Sequence, residues 1–239
     1  MKKSVMYSLL LFVVFTLSIL VINIPMANAA DCSTVTMKYK STGDCVKQLQ
    51  TLLKKRGFYS MTVDGDFGVG TANAVLNYQR ARHIGDDAVV GSTTWKSLNS
   101  SYMPANPIPA SCKGSGTRIC VSKAERKLRM YKDGKLKKTL SIRVGGFTTD
   151  ETGKYRVHQT VEGTYSVFKK DPNPYSERFG AGIMPWSVMF DPNMYVHYSA
   201  DFAAYGYARS SHGCVNVGSK TDAKWIYDNT PLKSTVIVY

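Results

Sequence analysis

The sequence is short of acidic residues. It contains 17 Asp and Glu against 31 Lys and Arg, which gives a formal net charge of +14. Such a basic chain favours polyanionic partners, or uses its charge simply for solubility. The sequence lacks helix-turn-helix and RNA-binding signatures, so we predict no nucleic-acid partner. A hydrophobic fraction of 44% with 20% charged residues also excludes the disordered and fibrous classes.

Calcium-loop ligands are missing as well. The Asp64-Gly65-Asp66 run superficially suggests a calcium site. An EF-hand, however, spreads its oxygen ligands over about twelve residues and closes with a Glu, and neither feature is present. We therefore interpret this run as a turn.

The N-terminus has the pattern of a secretory signal. Two lysines precede an apolar stretch over residues 5–24, and a small-residue A-x-A run ends at Ala29. We predict that residues 1–29 are a signal peptide, although the apolar stretch is long enough to span a bilayer as an uncleaved anchor. Cys32 follows Asp31 rather than a small residue, which excludes a lipoprotein. Either way, the working part is secreted or lies in the cell envelope.

The exported part stays basic. Residues 1–29 carry two lysines and no acid, so their removal leaves a net charge of +12. In a bacterial envelope such a surface favours anionic wall polymers and anionic lipid headgroups.

The cysteine count is odd. The five cysteines are Cys32, Cys45, Cys112, Cys120 and Cys214. Close spacing favours pairing the first two and the next two, but the sequence does not decide this. A leftover thiol in an oxidising compartment is a liability unless its reactivity is used, so the free cysteine is a candidate functional residue.

Residues 36–101 have the pattern of a small helical module. Asp44 is a candidate N-cap for a first helix, and Gly57 suits the left-handed residue that ends it. A second helix is predicted to begin near Thr71, and a short third helix contains Trp95.

This module resembles the three-helix peptidoglycan-binding domain of wall hydrolases. The resemblance covers about sixty residues in register and implies binding of glycan or stem peptide. Most of the matched residues are core and turn positions, so they support the fold more strongly than the binding. The matches are Gly43-Asp44, Val46, Leu49-Gln50, Leu53, Gly57, Asp64-Gly65-Asp66-Phe67-Gly68, Thr71, Ala74-Val75, Tyr78-Gln79, Thr94-Trp95 and Leu98.

A second domain follows a linker. Residues 102–116 are rich in Pro, Ser, Gly and Ala, as connectors are. Beyond them, residues 117–239 form short alternating segments, with a hairpin signal at Asp133-Gly134 and one clear helix over residues 221–229. We predict a mostly antiparallel β domain. Its expected strands lie at residues 118–122, 127–146, 163–168, 194–199 and 234–239.

Two histidines and the odd cysteine cluster near the C-terminus. His197, His212 and Cys214 fall within eighteen residues. A Cys–His pair suits nucleophilic acyl transfer, because the imidazole takes the thiol proton, lowers the thiol pKa and gives a thiolate at neutral pH. Gly213 allows a tight turn beside the cysteine, where freed amide N–H groups can face a developing oxyanion.

Other interpretations of the cluster stay open at this point. His197, His212 and Cys214 could be three zinc ligands, although a fourth ligand and the usual C-x-x-C spacing are missing. Cys214 could instead pair in a disulfide, which would free another cysteine. His197 could be an inward-facing core histidine.

The hexapeptide Ser211-His212-Gly213-Cys214-Val215-Asn216, preceded by His197 on a strand, resembles the L,D-transpeptidase family with its YkuD-type catalytic domain. The resemblance runs through most of residues 118–239 and includes Met184-Pro185-Trp186. The expected fold class is therefore two domains: a small three-helix peptidoglycan-binding module followed by a mostly antiparallel β catalytic domain (YkuD-like).

The resemblance implies roles for individual residues. Cys214 would be the nucleophile and His197 the proton acceptor and donor, oriented by the backbone carbonyl of Tyr198. His212 would shape the oxyanion and substrate pocket, and Ser211 and Asn216 would hold the local geometry. Many relatives have Gly or Ser where this chain has Tyr198, so its side chain bears on the width of the pocket. The stretch Thr160-Val161-Glu162-Gly163 also lacks a proline that relatives commonly carry.

The implied activity is ping-pong acyl transfer between wall tetrapeptide stems, with release of the terminal D-alanine. It needs no metal and no organic cofactor. The helical module would tether the enzyme to its substrate and raise its local concentration. Carbapenem-type β-lactams would acylate Cys214. The alternatives are an L,D-carboxypeptidase or endopeptidase that uses water as acceptor, and a wall-binding protein with a silent catalytic domain.

Overall fold

The computed structural model describes residues 31–178 and 180–239. The predicted signal peptide, residues 1–29, lies outside these residues. Within the part of the chain that is described, no helix has the length and apolar character needed to cross a membrane.

Three helices form the N-terminal module: α1 (Asp44–Lys55), α2 (Val69–Ala81) and α3 (Ser92–Leu98). The N-cap of α1 is Gly43, so the prediction of Asp44 as N-cap is wrong by one residue, and Asp44 opens the helix. Gly57 has φ 76°, which confirms the left-handed residue after α1. The apolar faces enclose a core that includes Leu49, Tyr78 and Trp95.

A buried amide fixes the turn between α1 and α2. The side-chain oxygen of Gln50 accepts the backbone N–H groups of Asp64 (3.1 Å) and Gly65 (2.9 Å). Gly65 has φ 82°, a left-handed conformation that glycine adopts without steric cost. The Asp64-Gly65-Asp66 run is therefore a structural turn, as predicted.

Two disulfides account for four of the five cysteines. Cys32 is bonded to Cys45, and Cys112 to Cys120. Cys214 is the free thiol among the described residues. The pairing favoured by the spacing is confirmed. The second disulfide ties the chain just before the β domain to the first strand of that domain.

The C-terminal domain is built on a nine-stranded sheet in the order β6-β11-β1-β2-β3-β10-β9-β8-β7, beside a two-stranded β4-β5 hairpin. Strands β1 and β11 are parallel, as are β9 and β10, and the other neighbours are antiparallel. The mostly antiparallel architecture is thus confirmed. The strands are β1 (Thr117–Ser122), β2 (Lys127–Lys132), β3 (Lys135–Arg143), β4 (Phe147–Thr149), β5 (Tyr155–Val157), β6 (Gly163–Ser166), β7 (Lys169–Asp171), β8 (Ser187–Asp191), β9 (Met194–Tyr198), β10 (Val215–Val217) and β11 (Thr235–Val238).

The sheet folds round on itself. Its two end strands, β6 and β7, are consecutive in the chain and are separated only by Val167 and Phe168. The same stretch therefore pairs with β11 first and with β8 next. The enclosed face carries one hydrophobic core in which Ile119, Leu128 and Ile226 are fully buried.

The helices of this domain differ from the prediction. Helix α5 (Lys220–Asn229) matches the expected segment, but α4 (Ala200–Tyr205) is an additional helix, so the expectation of one clear helix is wrong. The hydroxyl of Ser199 caps α4 by accepting the N–H of Phe202 at 3.1 Å. Helix α4 follows directly after β9 and brings Asp201 towards the same cavity as that strand.

Candidate active site

Two neighbouring parallel strands present the predicted catalytic residues. His197 on β9 pairs in register with Asn216 on β10. Cys214 lies two residues before Asn216, and side chains alternate along a strand, so the thiol, the amide and the imidazole share one face of the sheet. All three line a cavity of about 670 Å³, together with Ser211 and His212.

The imidazole of His197 is buried and held at both nitrogens. It is 5% exposed. Its Nδ1 lies 2.6 Å from the backbone oxygen of Tyr198, and its Nε2 lies 3.0 Å from the side-chain nitrogen of Asn216. A carbonyl oxygen only accepts, so Nδ1 carries the proton and Nε2 presents its lone pair. This is the orientation through a backbone carbonyl that the family resemblance implied.

Arg143, at the end of β3, fixes the direction of the Asn216 amide. Its Nε and Nη2 donate to Asn216 Oδ1 at 3.1 Å and 2.8 Å. With the oxygen engaged there, the amide nitrogen must face His197. Arg143 also donates to Asp201 at 2.7 Å. The sequence analysis missed this residue, because a single arginine at a strand end belongs to no motif.

The resting acid–base pair is neutral. The pKa of His197 is lowered to about 4, mainly by burial and also by the charge of Arg143, against the opposing effect of the hydrogen bond with the Tyr198 backbone. Burial raises the pKa of Cys214 to about 11, against the hydrogen bond with the Tyr195 backbone. Both shifts favour a neutral thiol and a neutral imidazole in the resting site, in contrast to the thiolate expected from the residue types. The thiol lies 3.9 Å from the backbone oxygen of Asn193.

The loop that carries Cys214 is held by hydrogen bonds within the loop and by one from Thr160. Ser211 Oγ donates to the backbone oxygen of Cys214 and accepts the N–H of Gly213 at 3.2 Å. The buried hydroxyl of Thr160 donates to the backbone oxygen of Gly213 at 2.7 Å. Gly213 has φ +127°, and an added Cβ would lie 3.2 Å from the backbone oxygen of Gln159, so glycine is required at this position.

His212 forms one side of the cavity next to the β4-β5 hairpin. Its Nε2 lies 2.9 Å from the backbone oxygen of Thr149, at the end of β4. Its ring packs edge-on against His158, with centroids 5.1 Å apart. The pKa of His212 is lowered to about 4, mainly by burial and also by the charge of Arg178. A neutral His212 at neutral pH suits hydrogen bonding rather than charge.

The other residues singled out from the sequence lie around this centre. The Tyr198 side chain packs against the β core, not into the cavity, so it does not set the cavity's width. Met184 lines the cavity, and the backbone oxygen of Pro185 accepts the N–H of Tyr198 at 3.0 Å. Trp186 packs against the core. The Met-Pro-Trp element therefore supports β9 at the point where it presents His197.

The histidines are not arranged as zinc ligands. Both ring nitrogens of His197 are engaged by Tyr198 and Asn216. Within residues 31–178 and 180–239, no group of three or more His, Cys, Asp or Glu side chains is placed to hold a metal ion.

The sequence of residues 116–238 matches the L,D-transpeptidase catalytic domain family, YkuD. The chain belongs to this family. Residues 42–98 match a peptidoglycan-binding domain family, which covers the three helices of the N-terminal module. The two-domain fold class is therefore confirmed.

Solved L,D-transpeptidases resemble this family member over most of its length. The enzyme from Xylanimonas cellulosilytica is 28% identical, with 85% of this chain and 97% of that chain covered and a TM-score of 0.47. The enzyme from Stackebrandtia nassauensis is 20% identical, with 86% and 96% covered and a TM-score of 0.44.

Curated relatives match shorter stretches of this L,D-transpeptidase-family chain. An N-acetylmuramoyl-L-alanine amidase, CwlM of Mycobacterium tuberculosis, is 45% identical over 56 residues, which are 23% of this chain and 14% of the relative. A spore cortex-lytic enzyme of Bacillus cereus is 31% identical over 99 residues, 41% of this chain and 38% of the relative. The chain thus spans well under half of the length of these two proteins.

Proposed function

We propose that this chain is a cysteine-dependent L,D-transpeptidase that cross-links peptidoglycan stem peptides in the cell envelope. The observation that carries the proposal is the pairing of His197 with Asn216 across two neighbouring parallel strands, with Cys214 directly before the second strand. This register puts a thiol and an unprotonated imidazole nitrogen on one wall of one cavity.

Acylation begins from the neutral pair. The thiol leaves the Asn193 carbonyl, and Nε2 of His197 exchanges its hydrogen bond from the Asn216 amide for the thiol proton as sulfur attacks the carbonyl before the terminal D-alanine of a tetrapeptide stem. Proton transfer in step with attack avoids a free thiolate in a buried site, where burial raises the pKa of the thiol to about 11. The C–N bond breaks, the imidazolium protonates the leaving amine, and a thioester on Cys214 remains.

Deacylation uses the same groups in reverse. His197, neutral again, takes a proton from the amine of a second stem as that amine attacks the thioester carbonyl. The C–S bond breaks, sulfur regains a proton from the imidazolium, and the new amide is the cross-link. Nδ1 keeps its proton and donates it to the Tyr198 carbonyl throughout, which leaves Nε2 as the nitrogen that exchanges protons.

The cavity suits a peptide stem in size and charge. Its volume of about 670 Å³ lies within the range of about 300–1,000 Å³ that is usual for ligand pockets. Arg209 lines the cavity and pairs with Asp201 at 2.8 Å, which leaves the other N–H groups of its guanidinium for a stem carboxylate. The basic chain further favours anionic wall polymers as partners.

Product analysis tests the proposal. Residues 30–239 are incubated with disaccharide-tetrapeptide, and the products are weighed by mass spectrometry beside those of Cys214→Ala. We expect a dimer lighter by one D-alanine, formed only when Cys214 is present. Disaccharide-tripeptide with free D-alanine and no dimer would make the chain a carboxypeptidase. No turnover by either form would leave a wall-binding protein and overturn the proposal.

A further inference from the structure

The helical module lies against the catalytic domain and forms part of the cavity wall. Met61, Val69 and Gly70, from the turn before α2 and its first residues, line the same cavity as Cys214 and His197. Phe147, the first residue of β4, is buried in the hydrophobic core of the module. The module is therefore docked at the site, and not only joined to it through a linker.

The side-chain amide of Asn73 in α2 forms hydrogen bonds with both backbone polar groups of one residue of β4, as a neighbouring strand does. Its side-chain nitrogen donates to the backbone oxygen of Phe147 at 3.1 Å, and its side-chain oxygen accepts the N–H of Phe147 at 2.8 Å. Both partners are buried, and Asn73 is 1% exposed. Removing this side chain would leave the buried N–H of Phe147 without its partner and its carbonyl with the Ser210 hydroxyl alone, which makes the pair costly to break.

Arg80, two turns along α2, holds two further segments of the catalytic domain. Its Nη1 donates to the backbone oxygen of Gly145 at 2.7 Å, and its Nη2 donates to the side-chain oxygen of Gln159 at 3.0 Å. Its Nε donates to Asp86 within the module at 2.9 Å. The guanidinium thus ties α2 to the residues just before β4 and just after β5.

These two segments hold the loop that carries the nucleophile. Thr160, next to Gln159, accepts the N–H of Gly145 at 2.9 Å and donates to the backbone oxygen of Gly213 at 2.7 Å. Gly145 also forms a parallel bridge with Ser211. An unbroken set of hydrogen bonds therefore leads from the module to the residue that precedes Cys214.

The contact with β4 reaches the same loop by a second route. The backbone oxygen of Phe147 accepts the hydroxyl of Ser210 at 3.1 Å as well as the amide of Asn73. The N–H of Gly146 donates to the backbone oxygen of Ser211 at 3.2 Å. Displacing β4 would thus move both residues that lead into His212.

We propose that Asn73 and Arg80 are positioning residues, which hold the Cys214 loop in its reactive geometry from the helical module. The inference rests on the proposed function for its kinetic consequence. The module is then needed for acyl transfer on a free stem peptide in solution, where attachment to the wall gives no advantage. A module that acted as a tether alone would affect only wall-bound substrate.

The kinetic test uses disaccharide-tetrapeptide in solution and the variants Asn73→Ala and Arg80→Ala. The matched control is Arg82→Ala, because Arg82 is also a buried arginine at the end of α2 but donates to Ser97 of α3 within the module. We expect kcat to fall about 10- to 100-fold for the two variants, since small misplacements of reacting groups cost that much. The kcat of Arg82→Ala should stay within about 3-fold of the wild-type value, although the melting temperature of this variant also falls. Equal kcat in all variants would overturn the inference.

A readout that is independent of turnover keeps the inference separate from the proposed function. Amide hydrogen exchange is followed over residues 210–214 in folded protein. We expect faster exchange at this loop in Asn73→Ala and Arg80→Ala, and unchanged exchange in Arg82→Ala. Unchanged exchange in all three would overturn the positioning role. If the wild type itself failed to turn over, the proposed function would fall while the exchange result still decided the inference.

Discussion

At the scale of single residues, hydrogen-bond direction decides the chemistry of the site. Arg143 can only donate, so Asn216 Oδ1 must accept and the Asn216 amide nitrogen must face His197. A protonated Nε2 would then point its N–H at another N–H. The arrangement therefore stabilises the neutral imidazole that a general base needs, beyond the effect of burial alone.

Replacing Arg143 tests this arrangement. In Arg143→Gln the nearby positive charge is lost, so the pKa of His197 should rise from its value of about 4. The acid limb of the kcat/KM profile should move to higher pH, and kcat should fall about 10-fold as Asn216 loses its fixed direction.

Arg129→Gln is the control, because Arg129 pairs with Glu125 on the far side of β2 and does not line the cavity. An acid limb that stays in place in Arg143→Gln would show that Arg143 does not act on His197.

The lowered pKa of His197 also predicts how stability depends on pH. The unfolded chain binds a proton near pH 6.5, whereas folded His197 does so only near 4. Between these values the unfolded state holds more protons, so stability falls as pH drops from 6.5 to 4. For a buried histidine this loss amounts to roughly 3 kcal/mol.

His197→Gln removes the titration. Urea unfolding at pH 7 and pH 4 should show a loss on acidification that is smaller in the variant by roughly 3 kcal/mol. The same loss in both proteins would mean that His197 does not titrate as the structure indicates.

At the scale of elements, the sequence predicted the helices, strands and turns that have a recognisable local pattern. The hairpin was recognised by its Asp133-Gly134 turn signal. Strands β9 and β11 and helix α1 were recognised by the pattern of their apolar residues. Strand β8, whose first four residues are all buried, and three-residue strands such as β10 show no alternation. Their existence depends on pairing with distant neighbours, which no local pattern contains.

The residues of the candidate site also divide into those that the sequence predicted and those that only the structure reveals. His197 and the residues from Ser211 to Asn216 lie in a compact motif, and the structure brings them to one cavity. Arg143, Asn73 and Arg80 act across separations of 58 to 79 residues, through contacts that form only once the chain has folded. The neutral state of the Cys214–His197 pair likewise follows from burial and could not be obtained from residue types.

The close approach of α2 to β4 depends on a glycine. An added Cβ at Gly146 would lie 2.7 Å from Asn73 Oδ1 and 2.7 Å from Ser210 Cβ. Gly146→Ala should therefore push the helix from the strand, lower stability by about 1–3 kcal/mol and reduce kcat on soluble substrate.

Gly85→Ala is the matched control, since a Cβ there meets no atom within 4 Å. This variant should change the free energy of unfolding by no more than about 0.5 kcal/mol. Equal stability and activity for the two variants, measured by urea unfolding and product formation, would contradict the tight helix–strand contact.

At the scale of the whole molecule, a nine-stranded sheet, two disulfides and a docked helical module hold the strands that present the proposed catalytic pair. The interface between module and catalytic domain combines the buried Asn73 and Arg80 contacts with the guanidinium of Arg126, which lies over the rings of Phe58 (5.2 Å) and Tyr207 (4.2 Å). Buried contacts around the cavity thus join the helical module to the catalytic domain.

Mass spectrometry of the digested protein shows whether an acyl group passes through Cys214. Wild-type protein and Cys214→Ser are mixed with disaccharide-tetrapeptide, quenched in acid within the first turnovers and digested for peptide mapping. We expect an added disaccharide-tripeptide acyl group on the peptide that contains Cys214, and none on the serine variant. Formation of cross-linked product without a covalent adduct at Cys214, or by the serine variant at the wild-type rate, would contradict it.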